Sequence, residues 1–311
     1  MNHGVDNPCP VPRVWSYDEV MRALTWTDAV EALASALRDG FDPEDDPDRV
    51  RTHAEAGDLL VMPSASERML GAKLLTIRTG SPEQGVPSIQ GVYVLFEGTS
   101  LSPIAVLDGA ALTGRRTPAV SALAARHLAA RPLRRLAVFG TGVQALGHAL
   151  ALAETAGVNH VDVIGRTPDK VRAMVKRLVD DGISAAPAGP GAVPTADMIA
   201  CTTSAGFPLF DGNQVADGTV VLAVGSHTTA TRDVDSSLVK RSSVVVESRR
   251  SARREAGAVV IPRLDVDRLT TLRELVTGRD LPRPEGPRVF VGTGMSWEDL
   301  VVATAVVKNA E

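Results

Sequence analysis

Two cysteines, Cys9 and Cys201, are all that the 311 residues contain. They stand far apart in unlike surroundings, so neither a disulfide framework nor a zinc spacing follows from them, and a reducing cytoplasm is the expected setting. No apolar run reaches the ~18 to 20 residues that a membrane span needs. The opening MNHGVDNPCPVPRVW is polar and proline-rich, without the apolar core of a signal peptide. Internal repeats, low-complexity tracts and metal-binding clusters are absent as well. Neither sign of charge dominates: a formal net charge of -4 gives no reason to expect nucleic acid or an anionic membrane as partner. The densest basic run, Arg249 to Arg254, is broken by Ser251 and Ala252 and closed by Glu255. It reads as a solvated helix face.

What remains is an ordinary globular composition, 44% apolar, in a chain long enough for two domains. After a loose arm, Met1 to Pro12, the run Trp26 to Leu37 spaces its apolar residues as a helix does, with Thr27 or Asp28 placed to cap it. Phe41 to Asp48 is an acidic loop. Four short apolar runs follow, Leu59 to Met62, Gly71 to Ile77, Val92 to Phe96 and Ile104 to Leu107. Their turn-like boundaries predict an antiparallel sheet. At Thr117-Pro118 a cap and a first-turn proline predict the start of a helix through Ala130. Strand-like and helix-like pieces then alternate to Glu247, the mark of a doubly wound parallel sheet. A final apolar helix, Trp297 to Val307, is placed to return to the first unit.

One motif carries chemistry. Strand-like Leu136 to Phe139 runs through Gly140, Thr141, Gly142, Val143, Gln144 and Ala145 directly into a helix. The first glycine permits a tight turn, the second lets the backbone approach a pyrophosphate, and the helix N-terminus offers free N–H groups. Glycines alone make only a turn; between a strand and a helix they read as a dinucleotide-binding loop. The next strand ends in Gly165, Arg166 and Thr167, where an NAD site would usually place an acid. Asp162 lies too early in that strand. A cation and a hydroxyl suit a 2′-phosphate, so NADP(H) is preferred, with NAD(H) the other candidate.

Lys73 is one of only five lysines and interrupts an apolar strand. Such a lysine either faces solvent from a half-covered sheet or joins other cations in a cleft. Arg49 and Arg116 are the obvious companions, and three converging cations would clamp a carboxylate. His227 raises a similar pair of readings. It stands just past the apolar run Val220 to Val224. That is either a plain surface loop or the strand end where α/β folds hold ligands, suited to an imidazole that moves protons.

Taken in order, the motifs MPS at Met62, Lys73, VPS at Val86, the LDG–RRTPAVSALAARHLA block from Leu107, GTGVQA, VGSH, SRRSARREAGAV and GMSWEDL form a pattern. It resembles the ornithine cyclodeaminase/mu-crystallin family, which also holds alanine dehydrogenases and ketimine reductases. The resemblance implies an α/β fold: a Rossmann-type doubly wound parallel sheet over residues 118–287, plus an α+β unit for substrate binding and dimerisation over 1–117 together with 288–311. It implies a homodimer in which Arg49, Lys73 and Arg116 grip a substrate carboxylate and Met62 lines the pocket. It further implies that Thr117, Thr202, Val224 and Met295 join the phosphate loop in holding the cofactor.

Two departures narrow the activity. Where the cyclodeaminases carry an acid/base Asp after the VG motif, this chain has His227. Where they carry a Glu two residues before the pocket Met, it has Leu60. A diamino acid would lose both carboxylates, so ornithine or lysine cyclodeamination with bound NAD becomes the alternative, and His227 the acid/base candidate beside Lys73. The expected reaction is NADPH-dependent reduction of a C=N bond next to a carboxylate, in a small cyclic imino acid or related 2-imino acid. Its reverse is an amino-acid dehydrogenation. A non-catalytic NADP-binding protein of the crystallin kind and a dehydrogenase of N-linked conjugates are further alternatives.

Overall fold

The computed structural model describes residues 11–78, 89–281 and 285–309. Cys9, the VPS at Val86 and most of the expected N-terminal arm lie outside the described residues.

The first sheet has six strands, in the order Arg13–Trp15, Pro103–Asp108, Ile89–Glu97, Met69–Arg78, Gly57–Ala65 and Val50–Ala54. All neighbours are antiparallel except the first two, which run parallel. Side chains alternate faces along each strand. In Met69–Arg78 that rule buries Gly71, Lys73 and Leu75 and exposes Leu74 and Thr76. Lys73 therefore points inward, and its solvent-facing reading is overturned. Gly71 is small because the ring of Tyr93 fills the space a Cβ would take.

The second sheet is parallel throughout and eight strands wide: Thr270–Thr271, Ser243–Val246, Arg288–Val291, Val220–Ala223, Met198–Cys201, Arg135–Phe139, His160–Ile164 and Ser184–Pro187. Its central strands are buried at every position, as a sheet covered on both faces requires. The order of connection reverses between Arg135–Phe139 and Met198–Cys201. That reversal opens the crevice in which α/β folds hold ligands.

Two helix starts differ from expectation. The helix Trp26–Arg38 is capped by Thr25, and Asp28 completes a capping box by accepting from Thr25, so Thr27 and Asp28 are not the cap. The helix expected from Thr117 begins eight residues earlier, as Gly109–Leu128, with the Asp108 carboxylate taking the Ala111 N–H at 2.8 Å. Pro118 sits inside it. The helix Val143–Ala156 presents Gly147 at that point, and any Cβ there would press on Pro118 and the carbonyl of Gly114. Pro118 has no N–H to give the carbonyl of Gly114, four residues back, and Gly147 packs against both.

The helix Gly109–Leu128 spans the 117/118 boundary expected between the two units, and the strand Arg288–Val291, assigned to the first unit, pairs within the parallel sheet of the second. The closing helix Ser296–Lys308 returns to the first sheet and packs on Trp26–Arg38 and Gly109–Leu128. The basic run is not a free solvated face. Arg250 and Arg254 pair with Asp48, Arg249 with Glu274 and Arg253 with Asp267, while Glu44 accepts the backbone N–H groups of Arg249 and Arg250. The acidic loop and the basic run are complementary blocks about two hundred residues apart, and only the fold joins them.

Candidate functional site

Three cations meet where the first sheet faces the ends of the parallel strands. Lys73, fully buried, donates to Asp299 at 2.6 Å and to the Thr113 hydroxyl at 3.2 Å. Arg116, on the helix Gly109–Leu128, donates to Glu298 at 2.8 Å and to Asp299 at 3.3 Å. Arg49 reaches Glu255 at 2.5 Å and the carbonyls of Thr293 and Gly294 at 3.1 and 2.8 Å. Met62 lies opposite Lys73 in the sheet register and is buried with Leu60 and Leu75. The expected cluster is thus assembled, with an apolar wall beside it.

Sequence reasoning missed the carboxylates that make this possible. Buried charge persists only when paired, and the partners are Glu298 and Asp299 in the GMSWEDL stretch, Glu247 after Ser243–Val246, and Glu255. An available signal was the two adjacent acids in a helix that is otherwise apolar on most of its faces. Asp46 gave none, standing among the acids of its loop. It accepts from the Ser64 hydroxyl at 2.7 Å and from the N–H of Trp297 at 2.9 Å, so it holds the start of the closing helix.

Burial moves several of these groups toward neutrality. It pulls Lys73 down to about 8 against the opposing charge of Asp299. It pushes Asp46 up to about 6, against its two hydrogen bonds. Glu298 is pushed well above the usual carboxylate range by burial and by the charge of Glu247, with Arg116 opposing. For Arg116 burial acts downward, but Asp299, Glu298 and Glu247 outweigh it and hold the guanidinium above its ordinary value.

A single turn ties the cluster together. Glu247 accepts from the Thr293 N–H and hydroxyl at 2.8 and 3.0 Å and from the Gly294 N–H at 3.1 Å, while Arg49 takes the carbonyls of the same two residues. Gly294 has φ +76°, and a Cβ there would collide with the Arg116 guanidinium. Met295, next in the chain, stands just before the closing helix and is buried.

The glycine loop lies between Arg135–Phe139 and Val143–Ala156, as the motif requires. Gly140 has φ +129°, and a Cβ would come 2.7 Å from the Thr202 hydroxyl, which itself donates to the Phe139 carbonyl. A Cβ on Gly142 would meet nothing, so the helix N-terminus is open there. Thr141 packs toward Gly165, and Val143 is exposed. Gln144 donates to the Thr113 carbonyl at 3.4 Å, while its buried Oε1 has no partner among the described residues. An open helix end and a close-approach glycine fit the phosphates of a dinucleotide, while the Gln144 oxygen that lacks a donor fits a hydroxyl or amide group of such a cofactor.

Thr117 is half-buried, one turn beyond Thr113 on the same helix face, and Val224 is half-buried at the end of its strand. Arg166 and Thr167 are exposed beyond His160–Ile164, and Thr167 stands at the N-cap position of the following helix without a side-chain capping bond. Asp162 is engaged elsewhere, bound by Arg135 at 2.6 and 3.0 Å. His227 lies exposed on the loop that Asp233 anchors by accepting from the Gly225 N–H at 2.8 Å. Its pKa is lowered by partial shielding from water and by the positive charges of Arg49 and Arg51. Among the described residues no helix is long and apolar enough to cross a membrane.

With this geometry in hand, comparison with known proteins is specific. The model of the ornithine cyclodeaminase/mu-crystallin family matches residues 11–311. A ketimine reductase mu-crystallin of Rattus norvegicus is 34% identical over 80% of each chain. The Azospirillum brasilense Delta(1)-pyrroline-2-carboxylate/Delta(1)-piperideine-2-carboxylate reductase is 29% identical, covering 94% of this chain and 93% of that protein. In fold, the chain matches the Thermococcus litoralis Delta(1)-pyrroline-2-carboxylate reductase, solved with NADH and L-proline, at a TM-score of 0.88 and 24% identity over 96% of this chain and 97% of that one.

Replacing Gly294 with Ala tests the turn. Positive φ and collision with Arg116 together predict a loss of about 1 to 3 kcal/mol in urea unfolding. An unchanged midpoint would show that the guanidinium does not rest against this residue.

Proposed function

Because the chain belongs to the ornithine cyclodeaminase/mu-crystallin family, we propose that it is an oxidoreductase that reduces a C=N bond beside a carboxylate. The substrate class is a cyclic imino acid of the pyrroline- or piperideine-2-carboxylate type, as in the name of the A. brasilense relative. The reduced nicotinamide supplies a hydride to the imine carbon, one proton ends on nitrogen, and the product is a cyclic amino acid. The observation that carries this reading is the junction at Thr113. Its hydroxyl takes the Lys73 ammonium and its carbonyl takes Gln144 of the glycine loop, so carboxylate clamp and cofactor loop share one support.

In this reading Lys73, Arg116 and Arg49 bind the substrate carboxylate and orient the ring, and Met62 lines the wall beside them. The apolar neighbours Leu60 and Leu75 favour a ring over the charged side chain of a diamino acid. Lys73 keeps its charge at neutral pH and loses it as pH rises through about 8. His227 delivers the proton to the imine nitrogen. Gly140, Thr141, Gly142, Val143 and Gln144 hold the cofactor phosphates, and Thr117, Thr202, Val224 and Met295 line its remaining length. Arg166 and Thr167 favour NADP(H) over NAD(H), since Asp162, the nearest acid, is engaged by Arg135.

A homodimer fits the outer face of the first sheet, where Val50, Leu59, Leu74 and Val92 stand exposed on successive strands. The division into a substrate unit, 1–117 with 288–311, and a Rossmann unit, 118–287, is the working division we propose, with the helix Gly109–Leu128 crossing one edge and the strand Arg288–Val291 joining the sheet of the other unit.

The deciding measurement is nicotinamide absorbance with pyrroline- and piperideine-2-carboxylate and each cofactor. Consumption of reduced cofactor is expected; none, with ammonia released from ornithine or lysine, would instead mean a lyase. Arg166→Ala should weaken NADPH roughly tenfold more than NADH, the worth of one charged hydrogen bond. Equal losses would sink the NADP(H) preference. His227→Asn should remove the limb on which the rate falls as the imidazole deprotonates; a pH profile matching the parent protein would exclude it as proton donor.

A further inference from the structure

We propose that the Gln144 side chain binds the nicotinamide half of the dinucleotide and sets that ring against the Lys73 clamp, while the Gln144 backbone stays with the phosphates. This assignment rests on the dinucleotide part of the reading above and needs no particular substrate.

The Gln144 amide is held at one end and free at the other. Its Nε2 donates to the Thr113 carbonyl at 3.4 Å, and its buried Oε1 has no donor among the described residues. The neighbour fixes which end is which, since a carbonyl can only accept. Gln144 is also tied through its backbone. Its carbonyl accepts from His148 Nδ1 at 2.7 Å, and His148 Nε2 accepts from the Ser121 hydroxyl at 2.9 Å. His148 is fully buried, and burial pulls its pKa down to about 4, so the ring is neutral and its one proton sits on Nδ1. Thr113 and Ser121 lie about two turns apart on the helix Gly109–Leu128. Gln144 is thus pinned to that helix before any ligand arrives.

An acceptor without a donor selects among the parts of a dinucleotide. Phosphate oxygens accept and have no proton to give it at neutral pH. The adenosine half of a dinucleotide lies toward the end of the second strand, here His160–Ile164 with Gly165 and Arg166 beyond it. Gln144 turns the other way. The helix that holds it packs over Val220–Ala223 and Arg288–Val291, across Arg135–Phe139 from that strand. Its partner there, Thr113, accepts from the Lys73 ammonium at 3.2 Å through the hydroxyl. The donors left to meet Oε1 are those of the nicotinamide half, the ribose hydroxyls and the carboxamide N–H groups. One residue, Thr113, then supports both the anchor of the ring and a cation of the clamp, which fixes how hydride donor and bound carboxylate stand to each other.

A ladder of nucleotides tests this on the full-length protein by calorimetry: ADP, ADP-ribose and NAD+, each with its 2′-phosphorylated counterpart. Gln144→Met should weaken the dinucleotides about tenfold, because their donor loses its buried acceptor, and leave ADP unchanged. The unchanged ADP affinity also shows that the glycine loop is intact. Gln144→Asn, too short to span from the loop to Thr113, should give the same pattern and guards against a packing loss. ADP-ribose following the dinucleotides would make the ribose hydroxyls the donor, and ADP-ribose following ADP would make it the carboxamide; both outcomes support the assignment. Equal losses for ADP and the dinucleotides, or no loss for either, overturn it. A parent protein that binds none of these nucleotides overturns the dinucleotide reading and this assignment together. One that binds them but reduces no imine overturns only the substrate reading.

Discussion

Asp299 is the group on which the site depends. Its two oxygens receive Lys73 and Arg116, which stand on different elements, a strand of the antiparallel sheet and the long helix beside it. A lysine drawn into an apolar sheet would shed its proton or turn out to water unless an anion met it there. Removing one member of such a buried pair costs about 3 to 5 kcal/mol in other proteins, because the remaining charge is stranded. The ionic cluster is therefore a folding constraint as well as the proposed binding site: the closing helix must dock before the inner face of the first sheet is electrically tolerable.

That dependence explains what was legible in the sequence and what was not. A lone lysine in an apolar strand singles out Lys73, because position within a strand is local information, but which way it faces was open until the strand was placed in the sheet. The glycine loop is legible for the same reason, its strand, turn and helix being consecutive. Glu298 and Asp299 are not, since an acid pair in a first helical turn looks like ordinary dipole compensation until Lys73 and Arg116 are seen opposite. The helix start at Gly109 was obscured by Thr117-Pro118, a strong local start signal overruled by the Asp108 cap and by the packing of Gly147 on Pro118. The partners of the basic run were invisible because complementarity between distant segments has no local signature.

The acidic loop has a role beyond solubility. Asp48 and Glu44 hold the helix Arg249–Glu255, and Arg49, next in sequence, enters the cation cluster while also binding Glu255 of that helix. The same few residues thus join the two sheets and set one arm of the clamp. Exposed ion pairs contribute little each, so the joint is held chiefly by the partly buried contacts of Arg49 and Glu44. Clamp geometry and the relative placement of the sheets are consequently one mechanical quantity.

The strand Arg288–Val291 has a consequence for biosynthesis. It lies between Val220–Ala223 and Ser243–Val246, strands made much earlier, and is their link within the sheet. On a ribosome both earlier strands emerge with an edge unfilled, and the sheet stays in two pieces until about seventy residues after the first of them. Unpaired edges of this kind recruit neighbouring chains. The nascent protein therefore passes through a long interval in which its correct partner does not yet exist, and faithful assembly depends on those apolar edges staying covered until translation supplies it.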